Sequence, residues 1–516
     1  MLSWLKNEKV DHPLADAKHA KAVIEAFPAS DPGQTLEDVS HWLDSVSTTG
    51  AFKLEQRFGL LDALDVATRR AQRRLLDTYL ALKPEDKIQE RRIWNTVTRC
   101  AALLTQAYLV CIEQAQEGKN VTSAVKPNLP VIAARAMRSL RYQMKWALMR
   151  YSVVPPEIWT DIARCHAFAE AGGFSGTLVD VYAADPGSAQ YELLRAVMLW
   201  VASPGGLSPM EQDIAERMIV HLSAQFGVAA QRSADSSFYF DADGRRPPSR
   251  LLQSTVPAAN AWFFGAAATS QSVQTVLAAI ARTGALPSAA DLALGPGANV
   301  TNVSRVFKHL LLNWAKDMRP RSSERRKTAM ALQMTHGYQK VLTAVAPELA
   351  EQGDGLDFSS EPVYETWVAE DVSAGGYGLI APAGKGDWLK VGVLVGMRAD
   401  GVASWSIGIV RRVSGDAYRQ FRIGVQLISR APVPVTLCVA GVADRSAKPR
   451  HALLLGTKPS AQGSLHILAS RDIFSAKQLL EGGYGNPQVN VMLEAVGPVE
   501  SGEDFDWLRY KLYEPI

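Results

Sequence analysis

The sequence predicts a multidomain α + β protein: a mostly helical N-terminal region, then a small antiparallel β-barrel, then a β-rich C-terminal extension. Three observations predict it. Apolar residues recur every three or four positions through roughly the first 315 residues, and the period switches to two near residue 328. The 516-residue length allows about three domains of roughly 150 residues each. The expected boundaries are 1–315, 316–430 and 431–516. A composition of 47% hydrophobic and 21% charged residues supplies more than one core.

In the first region, Leu54, Phe58, Leu61, Leu64, Ala67, Ala71, Leu75 and Tyr79 form one apolar stripe, and Ile93, Val97, Cys100, Leu104, Ala107 and Cys111 another. Further helices are expected over 130–151, 157–171, 188–202, 208–226, 271–283 and 300–316. Pro155-Pro156 and Pro204-Gly205-Gly206 punctuate them, and Ser208 before Pro209 with Glu211 three residues on predicts a capping box. Residues 229–256 interrupt the array: Phe238-Tyr239-Phe240 followed by Asp241-Ala242-Asp243-Gly244 predicts a short hairpin or ordered loop. No repeat of fixed period is present.

Beyond residue 328, Leu389, Val391, Val393, Val395 and Met397 alternate with Lys390, Gly392, Leu394 and Gly396. Trp405, Ile407 and Ile409 alternate next, as do Phe421, Ile423, Val425 and Leu427. Strands with one buried face each, closely spaced, predict an antiparallel barrel. A first strand is expected within Ala329–Val341, followed by a loop or insertion over Glu351–Pro362. After Pro434, the apolar segments Ala452–Leu455, Leu465–Leu468 and Val489–Leu493 either extend the barrel or form a second small β unit.

Several functional classes are excluded or disfavoured. Four cysteines in so long a chain make no disulfide scaffold, and eleven helical residues hold Cys100 and Cys111 about 16 Å apart, so a cytoplasmic setting is expected. No secretory signal is visible, and the longest uncharged run, Leu251–Ala281, is too polar for a span needing ~20 apolar residues. A net charge of +3 argues neither for nor against nucleic acid. Arg135, Arg138, Arg141 and Lys145, beside Tyr142 and Trp146, make a basic stripe, and Arg69, Arg70, Arg73 and Arg74 make another. Both are read as solvated helix faces, with nucleic acid or an acidic partner as the lesser alternative; no nucleic-acid reader motif accompanies them. Cys165-His166 has no second half for a zinc site, so no metal is expected.

The segment Asp371-Val372-Ser373-Ala374-Gly375-Gly376 lies between the strand patterns WVAE and YGLIAP, and an arginine cluster, Arg319-Pro320-Arg321-Ser322-Ser323-Glu324-Arg325-Arg326, precedes it. Arginine's planar fork suits phosphate or a pair of acceptors on a base edge, and its flat face stacks on aromatic rings. A carboxylate accepts from N–H groups, a serine hydroxyl donates or accepts, and paired glycines allow close approach to backbone. By composition alone, Asp371–Gly376 is also an ordinary strand turn, and the arginines a solvated linker.

Residues from about 319 to 430 resemble a PilZ domain, a bacterial family that includes many cyclic di-GMP receptors. Arg321 and Arg325 match its Arg-x-x-x-Arg motif; Asp371, Ser373 and Gly376 match its Asp/Asn-x-Ser-x-x-Gly motif; SWSIGIV and FRIGVQLI resemble its closing strands. The resemblance implies cyclic di-GMP as ligand, bound by Arg321, Arg325, Asp371, Ser373 and Gly376, with Arg319, Arg326 and Gly375 as a second tier. It implies a sensor without a cofactor or catalytic residues, since the Gly-Gly-Asp-Glu-Phe and Glu-Ala-Leu signatures of messenger synthesis and breakdown are absent. The expected function is an effector that transmits ligand binding at the barrel to a protein partner held by the helical region. The alternative is a scaffold or adaptor with the same fold and no nucleotide.

Overall fold

In the computed structural model, residues Met1–Met318 form one unit and Arg319–Ile516 another. The structure describes residues 10–83, 85–118, 121–288, 292–317, 323–350, 364–382, 386, 388–416, 418, 420–440, 450–457, 464–471, 479–484 and 489–513. Helices dominate the first unit and antiparallel strands the second, a multidomain α + β fold.

The first unit contains α1 (Ala17–Glu25), α2 (Pro32–Thr48), α3 (Leu54–Leu80), α4 (Lys87–Gln116), α5 (Leu129–Met149), α6 (Pro156–Ala171), α7 (Ala189–Val201), α8 (Pro209–His221), α9 (Ala267–Thr283) and α10 (Val300–Trp314). Helix starts follow local chemistry. Asp31 and Ser188 accept from the N–H groups of Gln34 and Tyr191. At α8, Ser208 accepts from the Glu211 N–H while Glu211 accepts from the Ser208 N–H, the expected capping box. Leu36, Val39 and Leu43 of α2, Leu61 and Leu64 of α3, Val97 and Leu104 of α4, and Met137 and Leu140 of α5 meet in one buried core. The interruption is a four-stranded sheet, in the order β3 (Gly227–Ala229), β6 (Trp262–Gly265), β4 (Phe238–Phe240), β5 (Ser249–Arg250). A hairpin of β1 (Val179–Tyr182) and β2 (Asp185–Gly187), absent from the expected elements, precedes α7.

The stripe on α5 is not a solvated face. Arg135, Arg138, Arg141 and Lys145 are all buried. Arg138 and Arg141 share Glu192 of α7, Arg141 and Lys145 share Glu216 of α8, Lys145 also pairs with Asp213, and Arg135 with Asp62 of α3. The acids lie on neighbouring helices, so packing of α7 and α8 on α5 satisfies the charges it removes from water. Burial alone would raise the pKa of Glu192, yet Arg138, Arg141 and Arg195 hold it well below the usual carboxylate range. Burial pulls Arg141 down to about 10, still a cation at neutral pH. Of the second stripe, Arg70, Arg73 and Arg74 are exposed, and Arg69 is half-buried over the Tyr182 ring, 4.2 Å from its centroid.

The second unit holds two closed antiparallel barrels. One runs β10 (Leu394–Ala399), β11 (Ser406–Gly415), β12 (Phe421–Ser429), β9 (Gly376–Ala381), β8 (Glu365–Ser373), β7 (Arg326–His336). The other runs β13 (Val433–Val439), β14 (Arg450–Leu454), β15 (Ser464–Ser470), β18 (Phe505–Leu512), β17 (Val489–Ser501), β16 (Leu479–Tyr484). Two strand expectations need correction. The first strand begins at Arg326 and ends at His336, because Gly337 takes a positive φ of 81° and α11 (Tyr338–Val345) follows. The alternation through Leu389–Met397 is not one long strand: β10 starts at Leu394, and Leu394, Val395, Gly396 and Met397 are all buried. Both faces are covered there, since Leu394, Ile407 and Ile409 pack against α11 and against Leu453, Leu468 and Phe505 of the second barrel. The expected insertion at Glu351–Pro362 lies outside the described residues.

Cys100, Cys111 and Cys165 are buried free thiols, and Cys438 is free and exposed. Among the described residues no helix is long and apolar enough to cross a membrane.

Candidate ligand-binding site

The hairpin of β8 and β9 sets the site. Ser373 pairs with Gly376 across a two-residue turn of Ala374 and Gly375. The Ser373 hydroxyl donates to the Gly376 carbonyl at 3.4 Å, and the Leu427 N–H of β12 donates to the Gly375 carbonyl at 2.9 Å, tying the turn to the next strand. A Cβ on Gly376 would stand 2.0 Å from the Val425 carbonyl oxygen, so only glycine lets β12 approach so closely. Gly378 serves Asp371: a Cβ there would stand 2.7 Å from its carboxylate oxygen.

Register shifts arm the surrounding wall. Between Ala369 and Asp371 the β8–β9 register slips, as does the β11–β12 register between Val410 and Arg412. A bulge turns two consecutive side chains toward one side. Here these are Glu370 with Asp371, and Arg411 with Arg412, and all four line one open cavity of about 540 Å³.

Asp371 and Arg325 meet in this cavity. The Arg325 guanidinium donates through Nη1 to both carboxylate oxygens of Asp371, at 3.0 and 3.2 Å. Ser373, Gly375 and Gly376 line the same wall. Arg326, the exposed first residue of β7, pairs with Val372 and does not line it; Arg319 and Arg321 lie outside the described residues. The cavity also contains Lys327, Arg411, Arg412, Arg422 and Gln426, which the motifs did not single out. Arg422 and Gln426 were visible only as the polar alternates of a strand; Arg411 and Arg412 are exposed to the cavity by a bulge that periodicity does not encode.

Among the described residues, five cations and two acids line the cavity, an electrostatic surplus suited to a dianion. Arg422 lies 3.7 Å from Glu370, while Lys327 and Arg412 have no acid partner among the described residues. Arg411 donates from Nε to Gln426 at 2.7 Å and, through both terminal nitrogens, to Glu500 of the second barrel at 2.5 and 2.6 Å. The wall therefore offers forked donors for phosphate or a guanine edge, flat guanidinium faces for stacking and a carboxylate acceptor. No cluster of metal-ligating side chains is found among the described residues.

No curated protein matches this chain. Residues 18–231 match the family model of the N-terminal domain of the cyclic-di-GMP receptor FimW, and residues 313–434 match the model of that receptor's middle PilZ domain. The first match falls on the helical unit and the second takes in all six strands of the first barrel, in the order the receptor's domain names imply. The helical unit and the first barrel are thus similar to the first two domains of the FimW receptor, and the first barrel is a PilZ domain.

Proposed function

We propose that this protein is a cyclic di-GMP effector that binds the messenger on the open face of its PilZ barrel and passes the event to a protein partner through the helical unit. One observation carries the reading: Arg325 and Asp371, drawn from segments 46 residues apart, meet in a cavity with surplus positive charge. The names of the matched family models support the same ligand. On binding, the Asp371 carboxylate exchanges Arg325 for guanine N1–H and N2–H, and Arg325 turns to a phosphate or to the O6/N7 edge of a base. Arg321, four residues upstream in the same motif, supplies a second guanidinium to the ligand. The protein reads the messenger in the cytosol and neither makes nor degrades it.

The test is calorimetry on the full chain. Arg325→Ala should weaken binding by at least ~1.5 kcal/mol, the value of a lost charged hydrogen bond, and so by about tenfold. Asp371→Ala should do the same, and the double variant should lose less than the sum, because the two side chains are partners before ligand arrives. Absence of heat at high ligand concentration would leave the scaffold reading in its place.

A further inference from the structure

Arg411 commits all three guanidinium nitrogens to two neighbouring side chains. Its Nε is taken by Gln426, and its two terminal nitrogens grip the two oxygens of Glu500 in the parallel, two-pronged manner that guanidinium also uses for phosphate. Arg411 belongs to the PilZ barrel and lines its cavity; Glu500 belongs to β17 of the second barrel and does not line it. Both side chains are about a quarter exposed, so the pair sits at the rim and opens without unfolding a core. Local backbone supports the reach on each side: Arg411 is the extra residue of a bulge, and the β17–β18 register also shifts between Pro498 and Glu500.

We propose that Glu500 is an internal stand-in for a ligand anion, so that cyclic di-GMP and the second barrel compete for Arg411. This rests on the reading of the cavity as the messenger site. A phosphate or guanine edge that engages Arg411 through the fork of its two terminal nitrogens takes the positions now held by the Glu500 oxygens. Binding therefore frees Glu500 and loosens this rim contact, while the apolar seam through Tyr338, Leu453 and Phe505 persists. Because linkage is reciprocal, whatever holds the second barrel against Arg411 weakens ligand binding by the factor with which ligand weakens the contact. The second barrel is thereby a built-in brake on the sensor.

The experiment compares four full-length proteins by calorimetry: wild type, Glu500→Gln, Arg411→Ala and the double variant. Removing the competitor in Glu500→Gln should tighten cyclic di-GMP binding about three- to fivefold, the upper range for a partly exposed ion pair of good geometry. Arg411→Ala should weaken binding, and in its background Glu500→Gln should change nothing. Unchanged binding in Glu500→Gln overturns the inference while leaving the wild-type site intact. Weaker binding in that variant also overturns it, by making Glu500 one of the ligand's own acceptors. If neither wild type nor Glu500→Gln binds, the messenger reading fails and the inference with it; binding only in Glu500→Gln would support both. Hydrogen exchange on the wild type needs no substitution: ligand should speed exchange in the 498–501 segment, and slower or unchanged exchange there counts against the brake.

Discussion

Glu192→Ala is expected to destabilise the helical unit by about 3–5 kcal/mol, the cost of removing one partner from a buried ionic cluster. The Glu192 side chain is fully buried and accepts from three arginines: from Arg138 at 2.9 Å, Arg141 at 3.1 Å and Arg195 at 2.5 Å. Arg138 keeps Asp185 and Arg141 keeps Glu216 when it is gone, but among the described residues Arg195 keeps only the Ser223 hydroxyl. Three guanidinium groups then sit in the core with less negative charge than their desolvation requires. Loss of helical ellipticity in denaturant reads this out, because the long helices lie in this unit. Glu25→Ala is the control: its partner Lys21 and Glu25 itself are mostly exposed, and the variant should stay within about 0.5 kcal/mol of wild type.

The same cluster sets an acid limit. The arginines depress the pKa of Glu192 in the folded state, and Lys145 and Arg217 depress that of Asp213, against burial that opposes both. Acids with depressed folded pKa values contribute stability in full above their unfolded values, near 4, and lose it as pH falls toward the folded ones. The helical unit should therefore hold its stability down to about pH 4 and decline below it. Glu192→Gln should flatten that decline as it lowers the neutral-pH plateau; an unchanged acid profile would show that Glu192 is not its source.

Much of the candidate site was legible because its parts obey short-range rules. A turn rich in Asp, Ser and Gly between two alternating strands is a hairpin, and Ser373 pairs with Gly376 in one. The meeting of Arg325 with Asp371, 46 residues on, was expected only from the resemblance to the PilZ motifs. Other features rest on contacts that no local pattern carries. The α5 stripe looked solvated because polar residues at helical spacing usually are; the acids that neutralise it lie 47 to 75 residues away in sequence. Alternation failed at β10 because α11 and the second barrel cover the face that should have met water. Arg411 and Arg412 were invisible as a pair because strand periodicity puts neighbours on opposite faces, and a one-residue bulge defeats that rule.

Within the hairpin, two adjacent glycines should behave oppositely, and the contrast separates architecture from ligand contact. Gly376→Ala drives a methyl group to 2.0 Å from the Val425 carbonyl oxygen, and the obstacle is backbone that no rotamer change can move. The β9–β12 pairing at Gly376 and Gln426 must spread, at a cost of about 1–3 kcal/mol for overpacking. Asp371 and Ser373 hang from the same hairpin, and a binding constellation tolerates only about 0.5 Å of displacement. Gly376→Ala should therefore lower the melting temperature of the barrel and abolish most cyclic di-GMP binding, although it removes no group that touches ligand. Gly375→Ala meets open space, with nothing within 4 Å of the new methyl, and its φ lies outside the left-handed region. Its melting temperature should match wild type. Any affinity lost in Gly375→Ala then measures how closely the ligand approaches the turn itself, since the fold is unchanged. Equal melting temperatures for the two variants would mean that β12 does not press on Gly376, and the glycine of the motif would need a reason in the ligand instead of the sheet.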